Sequence, residues 1–486
     1  MAVLRNWSAI TLLVTQARYR SRQSILERSR GAPTTCGWWP SLWPSFQKSR
    51  TQYTRPSPTQ RNRRRALHMT DTDPNKWFLD SNQIGREPAY TSGNHAEALI
   101  DGKDYMSDLS HKLVNMRDGD YFYMGGWRVT PEQRLAPEDT SSPTLADEMQ
   151  RLISTDVTVK ALIWFFPTTY LGIGLSKHAR GNTRFVRRIN EAGGQAILDG
   201  RLPRGTYASH HQKTIVLSSE GVDWAYVGGI DIAVDRWDTS AHDASPHRLK
   251  GQFDGWHDVQ CVVRGPAVSE IWGNVADRWN DTHCSNVKIR VPARGELSPI
   301  ETARRPSPQG DAGSQYVQVL RTFAGGNVYS FAPEGETTIG YAYERAIDLA
   351  QHYVYIEDQF LWPCSITEKL RCAAARGVKV ILVLSHKFPG VLAPWHNAMR
   401  QHALDRIRGD HPENVFVYHL QTDIPGLVRP DLQVHSKLMI VDDCFVAIGS
   451  ANINRRSFAT DSELQLAIVD GVTQESMCDR LRVERP

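Results

Sequence analysis

A histidine and a lysine separated by one residue occur at two distant places in the chain. His211 and Lys213 form the first pair, and His435 and Lys437 form the second. Each pair begins an apolar run rich in β-branched residues, which predicts a β-strand. Because alternate side chains of a strand point to the same face, each pair would present a base or nucleophile beside a fixed positive charge.

The segments that follow the two pairs are also alike. In both, a turn and a second apolar run lead to a glycine-containing bend with a polar side chain. The bends contain Gly228, Gly229 and Asp231 in the first copy, and Gly449, Ser450 and Asn452 in the second. A single pair of this kind would indicate little, but two at matching places indicate a shared site.

The order of predicted elements around the two pairs repeats. An aromatic strand at 121–129 corresponds to one at 353–360, and an apolar strand at 159–166 corresponds to one at 378–384. Strands alternate with predicted helices, which favours an α/β fold. We therefore predict two pseudo-symmetric lobes, each with a mixed β-sheet flanked by helices, and an active site at the lobe interface.

Changes in composition suggest the domain boundaries. Residues 1–68 carry twelve Arg and one Lys against a single acidic residue, which is typical of a disordered basic leader or of a mitochondrial transit peptide. Translation starting at Met69 is an alternative that would exclude this leader. Prolines cluster at 285–315, which we interpret as a linker or surface loop. The N-terminal lobe then spans 92–284 and the C-terminal lobe 316–486.

The rest of the chain excludes some classes of protein. Residues 69–486 carry 44 basic and 52 acidic residues, so the body is mildly acidic, which argues against nucleic acid as a partner. Seven cysteines without a CxxC spacing indicate reduced thiols and an intracellular location. No apolar run approaches the roughly 20 residues needed to span a bilayer, so any membrane contact would be peripheral.

Two histidines and two lysines that converge on one pocket suit a phosphodiester. One neutral histidine would attack phosphorus and form a phosphohistidine, and the other would protonate the leaving alcohol and later activate water. The lysines would hold the non-bridging oxygens as negative charge develops. No cluster of His, Cys and acidic residues has the spacing of metal ligands, so we predict neither a metal nor a cofactor.

These motifs resemble those of the phospholipase D superfamily, whose signature is HxKxxxxD, usually in two copies. The second copy matches in full, with Asp442 as its acid. The stretches 256–259 (WHDV), 278–280 (RWN) and 355–360 (YIEDQF) are similar to those of the phosphatidylcholine-type enzymes. The resemblance covers about residues 110–475, and it implies two α/β/α lobes around one metal-independent active site.

The resemblance also implies a role for individual residues. His211 would be the nucleophile and His435 the general acid. Lys213 and Lys437 would bind phosphate. Asn452 and Asp231 would line the pocket. Glu463 and Asp238 would each orient a histidine. The supporting residues would be Asp442, Ser450, Gly449, Gly228 and Gly229.

The first copy departs from the signature because Ser218 stands where the acid belongs. Since this position lies beyond the His–Lys pair, we expect its role to be structural, in closing a turn. The departure nevertheless leaves a catalytically weak or silent lipid-binding scaffold as an alternative.

The function implied is hydrolysis of a glycerophospholipid, such as phosphatidylcholine, to phosphatidic acid and a free head group. The substrate would lie at a membrane surface, and water or a primary alcohol would be the acceptor, the alcohol giving transphosphatidylation. A phosphatidyl transferase of the cardiolipin-synthase kind shares the motifs and is the enzymatic alternative. The sequence predicts no oligomeric state.

Overall fold

The computed structural model describes residues 72–81, 89–165, 175–203, 208–242, 255–281, 289–290, 297–306, 312–386, 388, 393–421 and 432–470. The predicted leader at 1–68 and the end of the predicted C-terminal lobe lie outside these residues, as does part of the predicted linker.

Two sets of elements follow one another along the chain. The first set contains α1 (Pro74–Trp77), β1 (Thr91–Ile100), α2 (Asp101–Val114), β2 (Tyr121–Gly126), α3 (Leu145–Ser154), β3 (Thr158–Trp164), α4 (Leu175–Ala192), β4 (Gln195–Asp199), β5 (Thr214–Ser219), β6 (Val222–Gly228), β7 (Trp256–His257), β8 (Val259–Arg264), α5 (Ala267–Asp281) and β9 (Ile289–Arg290). The second set contains β10 (Gln315–Phe323), β11 (Glu336–Thr337), α6 (Thr338–Leu349), β12 (Tyr353–Asp358), α7 (Ser365–Ala375), β13 (Lys379–Leu384), α8 (Ala393–Arg408), β14 (Val415–Tyr418), β15 (Gln433–Val434), β16 (Leu438–Val441), β17 (Phe445–Gly449) and β18 (Glu463–Asp470).

Sixteen of the described strands form one mixed sheet. From its centre outwards, the first half runs β1-β8-β6-β5-β2-β3-β4 and the second runs β10-β18-β17-β16-β12-β13-β14. The two orders correspond strand for strand, and β1 pairs with β10 in antiparallel orientation at the centre. The predicted mixed α/β fold with two related halves is confirmed, and the two half-sheets are continuous rather than separate.

Helices cover the sheet and bury the apolar strands. The strand predicted at 159–166 is β3, whose central residues are buried on both sides, as expected for a continuous apolar run. Helices α2, α3 and α4 contribute to one apolar core, and α6, α7 and α8 contribute to another. A third core combines α5 with strands of both halves, so the halves share buried apolar surface that holds them together.

The two His–Lys pairs lie immediately before strands, not inside them. Strand β5 begins one residue after Lys213, and β16 begins one residue after Lys437. The prediction that the pairs lie within strands is therefore wrong by a few residues. The physical reason is that their backbone bonds cross between the halves: the N–H of His211 donates to the carbonyl of Ser462 at 2.9 Å, and that of His435 to the carbonyl of His257 at 2.7 Å.

Among the described residues, no helix combines the length and the hydropathy required of a bilayer-spanning helix.

Candidate active site

His211 is held by an acid from the other half of the molecule. Its Nδ1 lies 3.1 Å from both carboxylate oxygens of Glu463 and 3.0 Å from the carbonyl of Ser450. The hydroxyl of Ser450 also donates to Glu463 at 2.5 Å, which fixes the carboxylate. The predicted pairing of Glu463 with a histidine is thus present, and Nε2 of His211 is the ring atom left for chemistry.

His435 is held in the same way, but by an acid that sequence reasoning missed. Its Nδ1 lies 2.6 Å from Oδ2 of Asp258. Asp238, which the resemblance implied for such a role, instead lies 2.9 Å from Nδ1 of His242, so the prediction for Asp238 is wrong. The cause is the pairing of β7 with β15, which brings Asp258 beside His435.

A signal for Asp258 was present in the repeat. Glu463 is the first residue of β18, and Asp258 directly precedes β8, the strand that corresponds to β18. The two carboxylates therefore occupy matching places in the duplicated fold. Comparison of these two strands, rather than of the segments after each motif, would have identified Asp258.

The two lysines are buried close to the histidines. The Nζ of Lys213 donates to the carbonyl of His211 at 2.8 Å and lies 3.5 Å from Oδ2 of Asp231. The Nζ of Lys437 donates to the carbonyl of His435. Burial lowers the pKa of Lys213, although the nearby Asp231 carboxylate raises it. Burial also lowers the pKa of Lys437, to about 8.

Burial disfavours the charged forms of the two histidines, the two lysines and the carboxylates bonded to the histidines. Burial lowers the pKa of both histidines well below its ordinary value, and the two lysines act in the same direction. Burial also raises the pKa of Glu463 to about 7 and that of Asp258 to about 6. An anion bound beside these groups, such as a phosphodiester, would favour the charged forms of the lysines and histidines.

The polar residues predicted to line the pocket lie at the ends of the corresponding strands. Asp231 accepts from the backbone N–H of Arg128 at 2.9 Å. Asn452 is buried, and its Oδ1 makes no hydrogen bond within the described part of the chain. A buried amide oxygen without a donor is an acceptor available to a substrate hydroxyl or water.

The predicted glycines allow a close approach of backbone to this site. A Cβ on Gly228 would lie 2.6 Å from the carbonyl oxygen of Val259, and one on Gly449 would lie 2.7 Å from the Cα of Gln465. A Cβ on Gly229 would overlap the carboxylate of Asp258. Glycine is therefore required here because the strand ends and the Asp258 carboxylate share the same space.

Three large side chains also border the histidines. The ring of Trp127 lies 5.8 Å from that of His211, and the ring of Trp256 lies 4.9 Å from that of His435. The buried guanidinium of Arg236 lies 3.4 Å over the ring of Trp256. These residues place two aromatic rings and a cation beside the histidines.

Comparison with known proteins decides the family. A family model described as Phospholipase D matches residues 120–381, more than half of the chain. The chain belongs to the phospholipase D family. A second model, described as Cardiolipin synthase, PLD-like domain, matches residues 343–481.

Two relatives of the phospholipase D family resemble the chain at low identity. Phospholipase D gamma 3 of Arabidopsis thaliana is 24% identical over 71% of this chain and 55% of its own length. Phospholipase D1 of Saccharomyces cerevisiae is 23% identical over 80% of this chain and 27% of its own length. The chain thus spans about half the length of the plant relative and about a quarter of the yeast one.

A solved structure supports the fold. The phosphatidylserine synthase of Haemophilus influenzae superposes with a TM-score of 0.51, covering 80% of this chain and 85% of its own, at 14% identity. At this identity the likeness concerns the fold alone.

The two positions of the phospholipase D signature acid have structural roles. The carboxylate of Asp442 accepts from the backbone N–H groups of Gln351, His352 and Tyr353 at 2.7 to 2.9 Å. In the first copy, Ser218 accepts from the backbone N–H of Tyr121 at 3.0 Å and donates to Asp120 at 2.8 Å. Because Tyr121 and Tyr353 begin corresponding strands, Ser218 performs part of the same turn-closing task.

One group of side chains among the described residues has the mutual distances of a metal site. The ligating atoms of Asp101, His242 and His257 lie within 4.8 Å of one another. Both ring nitrogens of His257 are already bonded to carboxylates, Nδ1 to Asp101 at 3.1 Å and Nε2 to Glu357 at 3.2 Å. A ring that faces a carboxylate at each nitrogen is a doubly protonated donor, so we assign no metal to this group.

Proposed function

We propose that the protein is a phospholipase D-like phosphodiesterase that hydrolyses a glycerophospholipid, such as phosphatidylcholine, to phosphatidic acid and a free head group. The observation that carries the proposal is the crossed pair of buried histidines. Each is bonded through Nδ1 to a carboxylate of the opposite half, and each leaves Nε2 for the reaction.

In the first step, Nε2 of His211 attacks phosphorus and the bond from phosphorus to the head-group oxygen breaks. The leaving oxygen takes its proton from Nε2 of His435, so that an alcohol is released and a phosphohistidine forms. Binding of the anionic phosphodiester offsets the field of Lys213 and Lys437, which allows His435 to hold the required proton.

In the second step, His435 accepts a proton from water, and the oxygen attacks phosphorus. The phosphorus–nitrogen bond breaks, His211 is regenerated and phosphatidic acid leaves. A primary alcohol in place of water yields a phosphatidyl alcohol by the same route. Glu463 and Asp258 keep each histidine in the tautomer that has Nε2 available.

The lysines supply electrostatic stabilisation and act on the non-bridging oxygens. Their ammonium groups, buried with little water around them, interact strongly with charge that develops on phosphoryl oxygens. Asn452 and Asp231 lie at the ends of the flanking strands and complete the polar wall. No step requires a metal ion or other cofactor.

The proposed substrate implies work at a membrane surface. The protein would bind peripherally at an intracellular membrane and take a phospholipid into the pocket, with water or a primary alcohol as the second substrate. The acidic body gives no support for nucleic acid as a partner. Mitochondrial targeting rests only on the composition of residues 1–68.

A phosphatidyl transferase is the second candidate. The family model described as Cardiolipin synthase, PLD-like domain covers the complete second motif. Such an enzyme would use the same phosphohistidine but would transfer the phosphatidyl group to the hydroxyl of another lipid. The silent-scaffold alternative rests on Ser218 alone, and the contacts of Ser218 with Tyr121 and Asp120 support a turn-closing role for it.

One assay separates these candidates. The full chain is incubated with phosphatidylcholine vesicles and a primary alcohol, with and without EDTA. A separate reaction contains phosphatidylglycerol vesicles. We expect phosphatidyl alcohol in both cases and none from His211→Ala or His435→Ala. Conversion of phosphatidylglycerol to cardiolipin without head-group hydrolysis would support the transferase instead. Vesicle binding without turnover of either lipid would support the scaffold.

A further inference from the structure

A closed ring of buried hydrogen-bonding residues joins His435 to both halves of the molecule. The first half contributes Asp101, His257 and Asp258, and the second contributes Glu357, His435 and Ser436. The mechanism above uses His435 and Asp258 and assigns nothing to the other four. His257 is the member of this ring that bonds to both Asp101 and Glu357.

The first arc of the ring runs through the N-terminal half. Oδ2 of Asp258 lies 2.6 Å from Nδ1 of His435. The backbone N–H of Asp258 donates to Oδ1 of Asp101 at 3.2 Å, and Nδ1 of His257 lies 3.1 Å from the same oxygen. Asp101 therefore holds both His257 and the residue that orients His435.

The second arc runs through the C-terminal half. Nε2 of His257 lies 3.2 Å from Oε2 of Glu357, which also accepts from the hydroxyl of Ser436 at 2.6 Å. Ser436 follows His435 in the chain, and the backbone N–H of His435 donates to the carbonyl of His257 at 2.7 Å. His257 thus contacts the catalytic segment through its backbone and, by way of Glu357, through its ring.

The groups that face His257 are consistent with a cationic imidazole. Burial opposes its charge, but Asp101 and Glu357 outweigh burial and raise the pKa of His257 well above its ordinary value. The ring of His242, which is bonded to Asp238, lies edge-on at 5.6 Å. The phenol of Tyr355 donates to Glu357 at 2.5 Å.

We propose that His257 is a positioning residue for His435. By bridging Asp101 and Glu357 it holds the Asp258 carboxylate and the 435–436 backbone in one relative placement. His435 therefore meets the reacting atoms in a single orientation and tautomer. The inference rests on the proposed acid–base role of His435.

Around His211, the described residues provide no counterpart of the Glu357 contact. Gly125 corresponds to Glu357, because it pairs with Thr214 as Glu357 pairs with Leu438. A Cβ on Gly125 would lie 3.3 Å from Nη1 of Arg278, so a guanidinium lies close to the place that the carboxylate takes in the second half. The hydrogen bonds through Glu357 therefore distinguish the surroundings of His435 from those of His211.

The test compares two leaving groups in His257→Gln. Phosphatidylcholine releases choline, which requires a proton from His435, whereas a phosphatidyl ester of p-nitrophenol releases an anion that requires none. We expect turnover of phosphatidylcholine to fall about 10- to 100-fold, part of the contribution of acid–base catalysis. First-turnover release of nitrophenol should fall much less, and phosphohistidine should accumulate. Equal losses with both substrates would overturn the proposal.

Two further variants separate positioning from loss of folding. Glu357→Gln removes the carboxylate that bonds to His257 from the second half. It should reproduce the leaving-group effect. If His257→Gln does not fold, Glu357→Gln tests the positioning role in its place. Glu336→Gln disrupts the buried pair with Arg321, in which the charged atoms lie 2.6 Å apart, outside the ring. It should lower the melting temperature without changing the ratio of the two rates. A similar ratio change in Glu336→Gln would contradict a specific role.

A measurement without turnover keeps the inference distinct from the proposed function. In ¹⁵N-histidine-labelled protein, the His435 ring, assigned by its loss in His435→Gln, should show protonated Nδ1. In His257→Gln its nitrogen shifts should move toward a mixture of tautomers. If the wild type cleaves neither ester, the proposed function fails while this spectrum still decides positioning. Unchanged His435 shifts in His257→Gln would refute the positioning role.

Discussion

His211 and Glu463 are 252 residues apart in the chain, yet Nδ1 of His211 lies 3.1 Å from both carboxylate oxygens of Glu463. The converse relation joins His435 to Asp258 at 2.6 Å. Each half therefore carries one histidine and the carboxylate that orients the histidine of the other half. Neither half alone holds both a His–Lys histidine and the carboxylate that orients it, so the site exists only where the halves meet.

The crossed arrangement predicts different defects for the two carboxylates. Glu463→Gln keeps the shape but disturbs the tautomer of the proposed nucleophile, so phosphohistidine formation should slow by about 10²- to 10⁴-fold, as for other oriented catalytic histidines. Single-turnover kinetics with the p-nitrophenyl ester measures this step. Asp258→Asn is the matched control, and it should affect the same step little because the leaving group needs no acid. Equal slowing of that step by both substitutions would contradict the assignment of nucleophile and acid.

The lowered pKa of Lys437 predicts a limb in the pH profile. The charged ammonium is the active form, and burial lowers the pKa of Lys437 to about 8. Since the group loses its charge as the pH rises, kcat/KM should fall above about pH 8. In Lys437→Arg, whose guanidinium keeps its charge beyond pH 12, the residual activity should lose this limb. A limb at the same pH in Lys437→Arg would show that another group titrates.

Ser218 is expected to affect stability and not the reaction. Ser218→Ala removes the acceptor for the Tyr121 N–H and the donor to Asp120, which should lower the free energy of unfolding by about 1–3 kcal/mol. Denaturant unfolding measures the loss, and kcat should stay unchanged. Asp442→Ala should cost more, because three backbone donors lose a charged acceptor. A fall in kcat without a fall in stability would instead indicate that Ser218 takes part in catalysis.

Restoring the signature acid at position 218 should not improve the enzyme. Ser218→Asp would bring a second carboxylate next to Asp120, whose Oδ1 lies 2.8 Å from the present hydroxyl. Like charges at this distance repel, so the variant should be less stable at neutral pH and recover stability as the pH falls toward 4. Thermal melting across this range is the measurement. Higher activity or stability at neutral pH would contradict the contacts assigned to Ser218.

The glycine at the end of β17 should not tolerate a side chain. Gly449→Ala places a methyl group 2.7 Å from the Cα of Gln465, which should lower stability by about 1–3 kcal/mol or more. Gly340→Ala is the matched control: it lies in α6, and its nearest neighbour, the Cβ of Phe458, would be at 3.7 Å. The control should gain up to about 1 kcal/mol because alanine favours a helix. Equal unfolding midpoints for the two variants would contradict the close approach.

The sequence by itself determined the class of fold and the two His–Lys pairs. Strand β3 is an uninterrupted apolar run, and its repeat at β13 indicates a second copy of the unit, because burial imposes a local pattern on each strand. The glycines beside the site were also visible, since they recur at matching places. The family resemblance added the roles implied for His211 and His435.

Only the tertiary structure decided which acids hold those histidines. Asp238 and Asp258 are both aspartates, twenty positions apart, and the segments after the first His–Lys pair do not distinguish them; only the correspondence of β8 with β18 does. Asp258 reaches His435 because β7 pairs with β15, and the carbonyl of His257 receives the backbone N–H of His435. Such pairing depends on how two distant halves pack, and neighbouring residues along the chain do not encode it.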